Sequence, residues 1–216
     1  MDPVVSSPRP PAKRVLPPNP RQAAVVVGAF VALLYVVQLV NSLTGGGLVR
    51  HGILPLSLAG LDGVLWAPLL HGSWPHLLGN TVPVLVLAFL AMSGGFGQFA
   101  AVTGVIWLVG GLGTWVTGGV GTAHVGASGL IFGWLAFLLV RGILNRALGQ
   151  VLVSLVLFFV WGGMLWGVLP TTPGISWQGH LFGAIGGLLA AWFVARANSR
   201  GAGAGTARPR VHGGSP

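Results

Sequence analysis

The sequence predicts an all-α polytopic membrane protein with six transmembrane helices. Three observations carry that prediction. Apolar residues make up 53% of the 216-residue chain and charged residues only 6%, with a mean hydropathy of +0.83. A soluble domain carries roughly 25% charged residues, so bilayer must cover most of this surface. Six apolar stretches are each near the ~20 residues needed to cross a ~30 Å hydrocarbon core. Of the eleven basic residues, all but Arg50 fall before the first stretch, after the last, or at Arg141 and Arg146 in one short connection. Six spans put all of these on one side, which the positive-inside rule makes cytoplasmic.

The elements follow in order. Residues 1–22 hold seven of the fifteen prolines and no apolar period, the pattern of a disordered cytoplasmic tail. The spans lie at 23–43, 76–93, 98–117, 122–140, 151–169 and 178–195, forming one membrane domain over 23–196. The first is too long for a signal peptide and no small-x-small cleavage site follows it. The outer segment 44–75 is unusually apolar, with Leu48, Ile53, Leu54, Leu56, Leu58, Leu61, Leu65 and Trp66 among its residues. It is expected at the interface or dipping into the outer leaflet. Residues 197–216 are rich in Gly, Ala, Arg and Ser and read as a second disordered cytoplasmic tail. Most of the nine Trp read as interface anchors. The chain carries ten Arg to one Lys with abundant Gly and Ala, a composition of GC-rich, actinobacterial type. A multi-pass protein of a bacterial cell membrane is the expectation.

Composition excludes much chemistry. There is no cysteine, hence no disulfide, thiolate metal site or cysteine nucleophile. The acids are Asp2 and Asp62, with no glutamate, so paired-carboxylate and two-metal mechanisms lack their groups. Catalysis would run on Ser, Thr, His, Tyr, Asn or backbone, with no cofactor and no metal. The net charge of +9 reflects membrane topology, and no nucleic-acid partner is expected, since there is no soluble surface to present a basic groove.

Polar side chains inside spans are costly and mark function. Four stand out: His76, Asn80, Ser128 and His180. Counting at 1.5 Å per residue from Arg141 and Arg196 puts Ser128 ~20 Å and His180 ~24 Å from the cytoplasmic border. Both then lie just below the outer border, where His76 and Asn80 open span two. In Gly126-Ala127-Ser128-Gly129 the flanking glycines leave the serine backbone open to a substrate carbonyl. A serine hydroxyl needs a base, and His180 is at matching depth. With no acid available, a Ser–His dyad is expected, its imidazole held by packing. Phe132 lies one turn below Ser128 and can present its ring to His180. His76 and Asn80, spaced i and i+4, share a face and with the Ser128 N–H would form an oxyanion hole. The competing readings are a helix-packing serine and interhelical glue at His76 and Asn80. His71 reads as structural, His124 as a loop histidine, and His51 and His212 as solvated.

Together these motifs resemble the rhomboid intramembrane serine proteases. The resemblance rests on the six-span core and on the outer loop leading into His71-Gly72-Ser73-Trp74-Pro75-His76-Leu77-Leu78-Gly79-Asn80. It rests also on Gly126-Ala127-Ser128-Gly129, and on Gly179-His180-Leu181-Phe182-Gly183 with Gly187. It covers residues 23–196 and implies a rhomboid-like bundle. It further implies Ser128 as nucleophile, His180 as general base, and His76 with Asn80 on the oxyanion. Gly183 and Gly187 would let span six pack on span four. The implied substrates are single-span membrane proteins cut near their outer end, admitted sideways past span five and a cap loop at 169–177. Two positions depart from the family pattern: Asp62-Gly63 stand where a Trp-Arg pair is common, and Phe132 replaces Tyr. The alternative is a rhomboid-like protein that binds transmembrane clients without cutting them.

Overall fold

The computed structural model describes residues 13–204. The tail expectations for 1–12 and 205–216 lie outside the described residues. Helix α1 spans Pro20–Leu43, α2 Gly63–Trp66, α3 Trp74–Ala91, α4 Phe96–Thr117, α5 Ser128–Leu144, α6 Leu148–Trp161 and α7 Trp177–Ala204. Among the described residues there is no strand, and the one extended pairing is an isolated bridge between Ile53 and His124. Among the described residues, five helical segments are long and apolar enough to cross a membrane: Pro20–Leu43, Trp74–Gly94, Phe96–Thr117, Leu148–Val168 and Trp177–Arg200. The fold is thus an all-α polytopic bundle.

Local chemistry sets the helix ends. Asn19 caps α1 by accepting the Gln22 N–H at 3.1 Å, and Pro20 follows at the first helical position, where a missing N–H costs nothing. Ser73 caps α3 through the His76 N–H at 3.3 Å. Ser176 does the same for α7, accepting from the Gly179 N–H at 3.3 Å.

Helix α5 is the centre. Its 17 residues extend only ~25 Å, less than the hydrocarbon thickness. It tolerates this by being wrapped: Leu130 through Leu138 are all buried, the signature of a helix that is apolar all round. It packs against α3, α4, α6 and most extensively α7. Helix α6 packs chiefly on α5 and leaves Phe158, Phe159 and Val160 exposed.

Four expectations need correction. The fourth span begins at Ser128 and not at 122, because residues 122–127 are drawn into loop pairing with the outer segment. Arg141 is not in a connection but inside α5, only 3% exposed. It donates to Ser93 Oγ and lies over the Phe137 ring at 5.7 Å. The fifth span, α6, ends as an α-helix at Trp161 and continues as a 3-10 segment, Gly162–Val168. The last helix passes residue 196 and runs to Ala204.

The outer segment 44–73 is built of short 3-10 turns and α2. Ile53, Val64 and Ala67 form a small buried cluster against Trp115, while Leu58 and Trp66 are exposed. Three Trp do more than anchor an interface. Trp107 donates to the Val64 carbonyl at 2.7 Å and Trp115 to the Ser57 carbonyl at 2.9 Å, tying this segment to α4. Trp134 is buried and donates to Thr103 Oγ1 at 3.0 Å.

The α5–α7 contact explains the glycines. A Cβ on Gly183 would run into the Gly129 carbonyl, and one on Gly187 into the Gly133 carbonyl. Gly110 of α4 meets the Gly183 backbone at 3.5 Å from the same position of an added Cβ. Without side chains the backbones approach closely, and packing takes over the role that the hydrophobic effect plays in water.

Candidate active site

The loop before α5 is fixed by main-chain bonds. Ile53 and His124 exchange two N–H···O bonds of 3.0 Å, and the Gly126 N–H donates to the Ala67 carbonyl at 2.8 Å. Gly126 has φ +124°, a conformation that side chains avoid. A Cβ there would also meet the His76 ring at 2.7 Å. Glycine at 126 therefore lets the His76 imidazole lie directly against the loop that delivers Ser128. Ser128 is the first residue of α5, so its N–H has no partner within the helix and faces out of the helix end.

His180 lies in the first turn of α7 and is 8% exposed. Ser128 and His180 meet: Oγ and Nε2 are 2.8 Å apart. His180 Nδ1 is 3.0 Å from the Gly167 carbonyl oxygen. A carbonyl only accepts, so Nδ1 carries the proton and Nε2 is left as acceptor for the Ser128 hydroxyl. The Phe132 ring stacks on the imidazole with centroids 4.0 Å apart and planes 7° from parallel. A Cβ on Gly167 would lie 3.0 Å from Phe132 and 3.1 Å from His180 Nδ1, so any side chain there would press on the stacked pair. The sequence pointed to packing as the imidazole's support. The Gly167 carbonyl was missed, because a backbone acceptor thirteen residues upstream has no side-chain signature.

His76 and Asn80 lie on α3 facing this region. Asn80 Nδ2 donates to His71 Nε2 at 3.1 Å, and the Ala127 N–H approaches the same nitrogen at 3.4 Å. His71 Nε2 thus accepts twice, which puts its proton on Nδ1. That nitrogen is buried without a partner in hydrogen-bond geometry, near the Leu69 carbonyl. The His71 carbonyl in turn accepts from Asn41 of α1 at 3.4 Å, and Asn41 Oδ1 accepts the Leu48 N–H at 3.0 Å. His71 therefore orients Asn80 and steadies the residue before Ser128, a larger part than loop support. Its ring also meets His76 edge-on at 5.0 Å. One hydrogen on Asn80 Nδ2 and the ring nitrogens of His76 stay free for a ligand beside Ser128. Were this site to stabilise an oxyanion, His76→Ala and Asn80→Ala would each be expected to lower kcat by about 10²–10³ with little change in KM, the range for a lost oxyanion donor. Steady-state kinetics on a cleavable reporter would check this.

Burial, reinforced by the charge of nearby His76, holds His71 well below the ordinary imidazole value of 6.5, at about 4. The unfolded chain takes up this proton below pH 6.5 and the folded one refuses it until about pH 4. Stability is therefore complete above 6.5 and lost as pH falls through that window, by about 1.4 kcal/mol per unit and about 3 kcal/mol in all. Unfolding measured from pH 7 to 4 in detergent should show a slope of this sign, and His71→Gln should make it shallower.

A cavity of about 40 Å³ adjoins Ser128, with Thr114, His124, Gly129, Ser176 and Gly179 in its lining. That is room for water. Among the described residues no three His, Asp or Glu side chains converge as a metal site requires.

Comparison with known proteins agrees with this architecture. The Rhomboid domain profile matches residues 59–197. An uncharacterized protein of Mycobacterium tuberculosis strain H37Rv is 47% identical over 196 residues, covering 84% of this chain and 81% of its own. A Mycobacterium leprae protein, also uncharacterized, is 43% identical over 178 residues, 79% of this chain and 70% of its own. A Bacillus subtilis protein named "Putative rhomboid protease YdcA" is 30% identical over 186 residues, 81% of this chain and 91% of its own. The chain belongs to the rhomboid family, a family of intramembrane proteases.

Proposed function

We propose that this protein is an intramembrane serine endopeptidase working through a Ser128–His180 dyad on single-span membrane proteins. The observation that carries the reading is the 2.8 Å contact between Ser128 Oγ and His180 Nε2, with the imidazole tautomer set by Gly167. A serine hydroxyl pointed at an imidazole acceptor is the requirement for nucleophilic attack at neutral pH.

The steps follow from the geometry. Ser128 Oγ attacks the scissile carbonyl carbon as its proton passes to His180 Nε2. The carbonyl oxygen gains the negative charge, and the Ser128 N–H, His76 and Asn80 donate to it. The imidazolium that forms keeps its Nδ1–H on the Gly167 carbonyl. It also faces the Phe132 π-system, which favours a cation over the neutral ring. Collapse breaks the C–N bond, and Nε2 returns the proton to the leaving amine. Water then enters and adds to the acyl carbon as His180 takes one of its protons; His180 returns that proton to Ser128 Oγ as the ester C–O bond breaks and the acid is released. The stacked phenyl and the backbone carbonyl do here what a carboxylate does in a triad.

A substrate helix is admitted beside α6, which packs chiefly on α5 and leaves apolar residues exposed as a lipid-facing helix would. The substrate unwinds near Ser128. The basic bias at the ends of the chain supports cytoplasmic termini in a bacterial cell membrane and, with them, a position for Ser128 toward the outer side.

The test is purified full-length protein in lipid vesicles with a panel of single-span reporters. The reading expects a single cut near the outer end of at least one reporter span. Reporters that bind without being cut, across the panel, would favour the client-binding alternative.

A further inference from the structure

The segment between Val168 and α7 is held to the rest of the protein by little. Its backbone bonds are all local: Leu169 to Trp166, Thr171 to Leu169, Ile175 to Thr172, Trp177 to Ile175 and His180 to Ser176. Among the described residues, one hydrogen bond ties residues 169–176 to a distant part of the chain. It joins Ser176 Oγ to His124 Nδ1, 2.6 Å apart. Ser176 caps the helix that bears His180, and His124 lies in the loop that delivers Ser128.

The hydrogens in this contact form a directed chain. Thr122 Oγ1 donates to the Gly119 carbonyl at 2.6 Å, so toward His124 Nε2, 2.8 Å away, it can only accept. His124 therefore carries its proton on Nε2 and accepts at Nδ1. Ser176 already accepts the Gly179 N–H and gives its own proton to that Nδ1. Each donor and acceptor is used once from Gly179 to Gly119. The chain needs a neutral imidazole, and half-burial lowers the His124 pKa from its ordinary value, favouring that form. His124 is also clamped through its backbone to Ile53.

We propose that His124 is a positioning residue for the Ser128–His180 dyad. It fastens the start of α7 to the serine loop through Ser176, so that the two catalytic side chains stay in register while the 169–176 segment moves for substrate. The inference rests on the dyad reading of the site. It predicts a kinetic signature that differs from loss of a group touching substrate. The hydroxyl and imidazole remain present but spend less time aligned, so kcat falls and KM does not.

The experiment compares the full-length wild type with His124→Ala, Ser176→Ala, the double variant and His124→Asn. The amide oxygen of Asn can replace Nδ1 as acceptor. Two readouts are taken: kcat and KM on a cleaved reporter, and hydrogen exchange of the amides in 122–127 and 176–180. His124→Ala should lower kcat about tenfold, the effect of losing one partly buried hydrogen bond, with KM within twofold. Ser176→Ala should match it, the double variant should be no worse than either single, and His124→Asn should recover most of the loss. Exchange in both segments should rise together in the alanine variants. Unchanged exchange in 176–180 in His124→Ala would overturn the fastening, even if the wild type cut no reporter. Wild-type kcat in His124→Ala, or losses that multiply in the double variant, would overturn its role in alignment.

Discussion

Ser128→Ala is expected to remove cleavage by about 10⁴-fold or more while leaving the fold intact. In a hydroxyl–imidazole pair the nucleophile and base act as one unit, and what survives its loss is only the binding and oxyanion contribution. For the same reason His180→Ala should be as severe, and the double variant no worse than either single. The fold should survive because, among the described residues, the hydroxyl makes one hydrogen bond, to His180 Nε2, and Ser128 is only partly buried at the open end of α5. Removing one oxygen there leaves no cavity in the Leu130–Leu138 core. Melting of the variant should lie within about 1 kcal/mol of wild type. Cleavage by Ser128→Ala at wild-type rates would remove the nucleophile from the account.

Gly187→Val is expected to give the largest loss of stability. The Cβ of any residue at 187 would press into the Gly133 carbonyl oxygen and its carbon, which are backbone and cannot rotate away. Helices α5 and α7 must separate, and overpacking of this kind costs about 3 kcal/mol or more. The consequence reaches the site. Gly187 lies two turns from His180 on the same face of α7, with Gly183 between them against Gly129. A wider spacing at 133–187 pulls His180 from Ser128, so activity should fall even in molecules that remain folded. A valine at Gly28, where an added Cβ meets nothing within 4 Å, is the matched control. Unfolding in mild detergent with an activity assay on the folded fraction measures both effects.

How much of this was legible in the sequence differs by residue, for physical reasons. Ser128, His180, Phe132, Gly183 and Gly187 carry their placement in helical spacing. A serine and a histidine on separate spans, each counted from a basic border, arrive at one level. The true start of α5 was not legible. Residues 122–127 are as apolar and Gly-rich as a span, and what ends the helix at Ser128 is pairing with Ile53 and Ala67 from a loop over fifty residues earlier. His71 and His124 lie where expected, one structural and one in a loop, but a loop histidine does not announce its partners. Their partners, Asn80, Ala127, Thr122 and Ser176, come together only through tertiary structure. Arg141 looked like a topology charge, and only the depth of α5 reveals it as buried.

The central claim is that the Ser128 hydroxyl is activated by His180. A fluorophosphonate probe, which forms a covalent bond with an activated serine, tests this directly when the modified peptide is located by mass spectrometry. The account predicts stoichiometric phosphonylation at Ser128 in the wild-type protein and loss of labelling in His180→Ala. Equal labelling with and without the imidazole, or modification of other serines alone, would contradict it.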